Sequence, residues 1–133
     1  MAAYIAWKSY YSVGDPSIDA QHQQIIEMIN ELYAAYSAQR TDVDLKKIMD
    51  RLIQYTNTHF QHEEQRMREW GYPALTSHLM LHEKLRRRTI DLRNNLTLVT
   101  ARDLLAFLKD WWCNHIQDED RAYAPYLGVL AHS

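Results

Sequence analysis

Hydrophobic positions recur along most of this chain at steps of three and four, the period of an amphipathic helix. Four such stripes can be traced. The first runs through Ile18, His22, Ile25, Ile26, Ile29, Leu32, Tyr33 and Tyr36, with Asp15 and Pro16 placed as N-cap and first helical residue. The second runs through Leu45, Ile48, Met49, Leu52, Thr56, His59, Phe60, Glu63 and Met67, and Gly71 and Pro73 end it. The third joins Leu75, His78, His82, Leu85, Thr89 and Leu92. The fourth joins Leu104, Leu108, Trp111, Trp112 and His115, and Thr100 with Asp103 three residues later resembles a capping box.

The pattern predicts helices over about 16–37, 44–69, 74–93 and 101–118, preceded by an aromatic arm over 1–14 and followed by a short tail. Four amphipathic helices with short connections predict an all-α fold, an antiparallel up-down-up-down four-helix bundle. The arm carries Trp7, Tyr10 and Tyr11 and is expected to pack across the bundle. At 133 residues the chain reads as a single domain over 1–133.

Six of the stripe positions carry an imidazole or a carboxylate: His22, His59, Glu63, His78, His82 and His115. Burying such groups is costly unless something compensates them. His22 opens helix one, His59 and Glu63 close helix two, His78 and His82 open helix three, and His115 closes helix four. In an antiparallel bundle all of these positions meet at one end. His59 and Glu63, like His78 and His82, are four apart and so share a helix face. Asp120 lies five after His115, about 140° round an ideal helix, so Glu119 at four is the simpler partner. For Asp120 to face inward the helix must be bulged or ending there, and π-bulges are frequent at functional sites.

Seven ligands exceed the four of a tetrahedral zinc, and calcium prefers oxygen donors. Mixed imidazole and carboxylate donors suit iron, with manganese and zinc as alternatives. Two octahedral ions have about twelve ligand positions. Five histidines, two bridging carboxylates and one bridging oxo or hydroxo group fill all but one of them. That count describes a site for one small exogenous molecule.

Composition narrows the function classes. There are 15 basic and 17 acidic residues and a net charge of −2, so no nucleic acid or anionic membrane is expected as partner. No membrane-spanning segment and no signal peptide are visible. The single cysteine, Cys113, rules out an internal disulfide framework and fits a cytoplasmic location; it lies off the ligand face. Arg86, Arg87 and Arg88 read as a solvated flank of helix three.

The order His, HxxxE, HxxxH, HxxxxD resembles the hemerythrin signature. The segment HFQHEEQRMREWGYPALTSHLMLHEKL over 59–85 is similar to single-domain bacterial hemerythrins, as are IDAQHQQIIEMINEL around His22 and the NHI at 114–116. The resemblance implies a hemerythrin-like domain that binds O2 reversibly at a non-haem di-iron centre, for storage, transport or delivery, and that is not an enzyme. It implies His78, His82 and His115 on one iron and His22 and His59 on the other. Glu63 and Asp120 would bridge both, beside an oxo or hydroxo group. Ile25, Phe60, Trp112 and Ile116 would line the O2 pocket. Trp112 departs from the leucine often found there, so di-iron oxidase or peroxidase-like activity, or O2 and redox sensing, with O2 access modified by Trp112, is the alternative. The expected state is a monomer, and the expected partner an oxygen-using client enzyme.

Overall fold

A computed structural model of the chain describes residues 4–97, 99–115 and 120–126, the last without the side chain of Arg121. Its four helices are α1 (Pro16–Ser37), α2 (Asp42–Trp70), α3 (Leu75–Asn94) and α4 (Ala101–Asn114). No strand occurs among the described residues. Helix α1 packs on α2, α2 on α3, and α4 returns against α1, which closes the antiparallel bundle. Among the described residues no helix is long and apolar enough to cross a membrane.

The helix ends follow local chemistry. Asp15 caps α1 by accepting from the backbone N–H groups of Ser17 and Ile18. Thr41 caps α2 by accepting from the Asp44 N–H, so α2 starts at Asp42, two residues before the start at 44 that the sequence predicts. Gly71 ends α2 in the left-handed region at φ 65°, a conformation that costs glycine least. The capping box anticipated at Thr100 does not form. Thr100 is itself helical, at φ −87° and ψ −12°, whereas a capping residue needs an extended backbone for its side chain to reach the third-residue N–H. Its hydroxyl instead donates to the Asn95 carbonyl.

The N-terminal arm packs across the bundle as the sequence predicts. The amide of Ile5 donates to Asn30 Oδ1 at 2.7 Å, and Asn30 Nδ2 donates back to the Ile5 carbonyl at 2.8 Å. Tyr4 stacks on Tyr33 at 4.5 Å. Tyr11 is buried and its hydroxyl lies 3.4 Å from Cys113 Sγ.

Two apolar clusters form the interior. The larger includes Ile25, Ile29, Leu32, Leu45, Leu52, Phe60, Leu104, Leu108, Trp111 and Trp112. The smaller holds Val13, Ile18, Met67, Trp70, Tyr72 and Tyr123. Along every helix a histidine or carboxylate separates them. His22 lies between Ile18 and Ile25, Glu63 between Phe60 and Met67, His82 between Leu75 and Leu85, and His115 between Trp112 and Tyr123.

Candidate metal centre

The layer between the two clusters contains His22, His59, Glu63, His78, His82, His115 and Asp120, all buried. Helical spacing brings the first six inward. Asp120 joins them because the backbone is π-helical at His115 and at Asp120, a wider turn that suits a five-residue separation. Residues 116–119 lie outside the described residues, among them Glu119, the simpler partner by spacing, and Ile116.

Each carboxylate divides its oxygens between two groups of imidazoles. Glu63 Oε1 lies 3.1 Å from His78 Nε2 and 3.0 Å from His82 Nε2. Glu63 Oε2 lies 3.3 Å from His59 Nε2 and 3.5 Å from His22 Nε2. Asp120 repeats the division: Oδ1 is 2.9 Å from His115 Nε2 and 3.1 Å from His78 Nε2, and Oδ2 is 3.0 Å from His22 Nε2. Two donor sets result, Glu63, His78, His82, His115 and Asp120 in one, His22, His59, Glu63 and Asp120 in the other. In each, the candidate ligand atoms lie within 4.8 Å of one another.

Apart from the 3.1 Å hydrogen bond between His78 Nε2 and Glu63 Oε1, these atoms crowd together without satisfying one another among the described residues. Nε2 of His22, His59, His82 and His115 and both oxygens of Asp120 are buried and make no well-aligned hydrogen bond. In a native interior such orphans are few, and each calls for a ligand. Atoms that approach to about 3 Å while pointing past one another share a target between them. Imidazole nitrogens and carboxylate oxygens are the donor set of a transition metal, so the residues fit metal ions.

Electrostatics lead to the same place. Burial drives the Glu63 carboxyl upward, but the adjacent imidazoles of His22, His59 and His78 outweigh it and hold the group well below the usual range. Asp120 is held low as well: burial and the Glu63 charge raise it, and His115 and His22 prevail. Burial lowers His22 and His78, yet Asp120 and Glu63 lift them to about 9 and about 10. In His59 burial wins and the pKa falls. Two buried carboxylates therefore require cationic company, which metal ions held by these residues would supply.

Three supporting residues escape a reading by ligand spacing. His59 Nδ1 donates to Gln21 Oε1 at 2.7 Å, and His82 Nδ1 donates to Glu64 Oε2 at 2.9 Å. With Nδ1 carrying the proton, Nε2 is the free donor facing the cluster. The third is Tyr123, whose hydroxyl donates to Glu63 Oε2 at 2.9 Å. A step of three beyond Asp120, one helical turn, is the only signal of it in the chain.

The expected pocket residues are placed unevenly. Trp112 is fully buried, its ring 5.7 Å from that of His22 and 6.0 Å from that of His59, and its Nε1 has no partner among the described residues. Phe60 is fully buried too but stacks flat on His82 at 3.8 Å, against the three-histidine set. Ile25 is fully buried in the larger apolar cluster. Arg86 is more than a solvated flank: it donates to Asn57 and Glu83 and lies 5.6 Å over the Phe60 ring.

Known proteins resemble this chain in sequence and fold. The family model "Hemerythrin HHE cation binding domain" matches residues 13–127. A bacteriohemerythrin of Stenotrophomonas maltophilia is 37% identical over 133 residues, covering 98% of this chain and 84% of the relative. A bacteriohemerythrin of Methylococcus capsulatus is 34% identical over 115 residues, covering 84% and 86%. The crystal structure of a wild-type hemerythrin superposes with a TM-score of 0.84 at 30% identity, covering 94% of this chain and 98% of that one. With the family model spanning most of its length, and a His/Glu/Asp cluster at one end of a matching bundle, this chain belongs to the hemerythrin family.

Proposed function

We propose that this protein binds O2 reversibly at two non-haem iron ions, and acts as an oxygen carrier or store rather than as an enzyme. The observation that carries the reading is the division of both bridging-type carboxylates: each offers one oxygen to a three-histidine set and one to a two-histidine set. His78, His82 and His115 would hold one ion, His22 and His59 the other, and Glu63 and Asp120 would join them. The second set has one histidine fewer, which leaves room for a small ligand.

When bound, a pair of ferrous ions supplies the two electrons that reversible O2 uptake requires. The chain does the rest. Gln21 and Glu64 fix the tautomers of His59 and His82, so both rings present Nε2 without rotating. Tyr123 keeps its proton on Oη, directed at Glu63 Oε2; burial and the nearby Glu63 and Asp120 charges raise its pKa well above the usual phenol value. Trp112, fully buried beside the rings of His22 and His59, would shield that half from protons and bulk water. A donor set dominated by neutral imidazoles and this shielding both favour carriage over turnover.

The test is an anaerobic ferrous sample followed by optical absorption during exposure to O2 and subsequent deoxygenation. A band that appears with O2 and disappears without it supports the carrier. Irreversible oxidation on first exposure refutes it and favours the second reading, oxidase-like or sensing chemistry altered by Trp112. What favours that second reading is the unpartnered indole N–H beside His22 and His59.

A further inference from the structure

The two halves of the cluster differ behind the ligands as well as among them. We propose that Glu64, Gln21 and Tyr123 act as positioning residues that make the halves unequal, so that the His78–His82–His115 half takes up a divalent metal ion first and holds it more tightly than the His22–His59 half. The inference rests on the two-ion reading above.

Three contacts act in the same direction. His82 Nδ1 donates to the carboxylate of Glu64, whose side chain is only 16% exposed, so solvent screens that charge little. An anionic acceptor behind an imidazole pushes electron density toward Nε2 and makes it a stronger donor. His59 Nδ1 donates to the amide oxygen of Gln21, a neutral acceptor that does less. The Tyr123 hydroxyl draws density from Glu63 Oε2, the oxygen facing His22 and His59, while Oε1 faces His78 and His82. The Nδ1 atoms of His22 and His115 have no partner among the described residues and are not invoked for the difference.

If Gln21 and Glu64 merely fix ring orientation, exchanging amide for carboxylate changes little, because either group accepts the Nδ1–H bond. If charge sets the difference, the exchange moves affinity in opposite directions in the two halves. Glu64→Gln and Gln21→Glu are nearly isosteric, so they separate charge from positioning.

The experiment titrates the metal-free full chain with Co(II) against a competing chromophoric chelator, reading the two stepwise affinities and the Co(II) visible spectrum. Wild type is expected to fill in two steps, and His115→Ala to abolish the tighter one. Glu64→Gln should weaken the first step by roughly tenfold to a hundredfold and leave the second within about twofold. Gln21→Glu should strengthen the second step by about tenfold, and Tyr123→Phe should strengthen it by a smaller factor. The double exchange should bring the two steps together. Equal weakening of both steps in Glu64→Gln, or an unmoved second step in Gln21→Glu, overturns the inference while two-ion binding stands. Fewer than two Co(II) per wild-type chain overturns the two-ion reading and this inference with it. If Glu64→Gln loses its helical circular dichroism, the Gln21→Glu result decides.

Discussion

Tyr123 and Glu63 lie 60 positions apart and are joined by a 2.9 Å hydrogen bond in which a buried phenol donates to a buried carboxylate. The bond ties the end of the chain beyond α4 to the middle of the metal-centre layer. Removing the hydroxyl leaves Glu63 Oε2 short of its one well-directed donor from outside the histidine set. Tyr123→Phe should cost the metal-free protein about 1.5–3 kcal/mol, the usual range for a hydrogen bond to a charged group. Urea unfolding of wild type and variant at neutral pH measures it. A midpoint unchanged within error would mean that the phenol contributes packing only.

Asp120 is in the cluster although ordinary helical spacing favours Glu119. Asp120→Asn should therefore abolish stoichiometric iron loading, whereas Glu119→Gln should leave it intact. Metal analysis after anaerobic ferrous reconstitution reads both variants. Loss of iron in the Glu119 variant with retention in the Asp120 variant would reverse the assignment.

Trp112 touches the rings of both histidines in the two-histidine set, and two substitutions separate its bulk from its N–H group. Trp112→Phe keeps a ring and removes the donor. If that donor holds bound O2, release should accelerate roughly tenfold, the value of one modest hydrogen bond. Trp112→Leu also opens space and should raise the rate of entry. Stopped-flow measurement of both rates in both variants decides, and four unchanged rates would remove Trp112 from oxygen handling altogether.

Asp15 gives the fold a pH dependence whose sign can be worked out. Burial raises its pKa, but the Ser17 hydroxyl, the Ile18 amide and Arg66, whose Nη2 donates at 2.7 Å, bring it below the ordinary carboxylate value. A folded-state pKa below the unfolded one means stability present above the unfolded value, about 3.9, and lost as pH falls through the folded one. Asp15→Ala should cost about 1–2 kcal/mol at pH 7 through the lost helix cap. The deficit should shrink when the same metal-free proteins are compared at pH 3. An equal deficit at both pH values would show that the carboxylate charge contributes nothing.

The helices and six of the seven clustered residues were legible because both rest on periodicity; Asp120 was legible only through the family resemblance. A 3.6-residue period puts His22, His59, Glu63, His78, His82 and His115 on interior stripes, and antiparallel order puts those stripes' polar members at one end. The residues behind the ligands were not legible in the same way. Gln21 and Glu64 each adjoin a cluster residue in sequence, at polar positions that read as solvent-facing. Only the contact across helices shows that they turn inward, Gln21 from α1 to His59 on α2 and Glu64 from α2 to His82 on α3. Tyr123 lies three residues beyond Asp120, in a 3₁₀ segment over Arg121–Tyr126 that contains Pro125, where the 3.6-residue period of the four stripes does not extend. Thr100 misled for the opposite reason. Its sequence context suits a cap, but the turn from Thr97 already places it in helical geometry, with the Ala101 N–H bonded to the Thr97 carbonyl.

The polar layer also divides the bundle mechanically. Val13, Ile18, Met67, Trp70, Tyr72 and Tyr123 form a small apolar cap that is joined to the main core through the histidines and carboxylates. That junction is built of imidazole and carboxylate contacts, which bound metal ions would reinforce with coordinate bonds. The cap should thus behave as its own cooperative exchange unit, opening before the rest of the bundle when the ions leave and locking to it when they return. Ion occupancy would then be read out as the backbone hydrogen-exchange rate of a whole end of the protein, well beyond the ligands themselves.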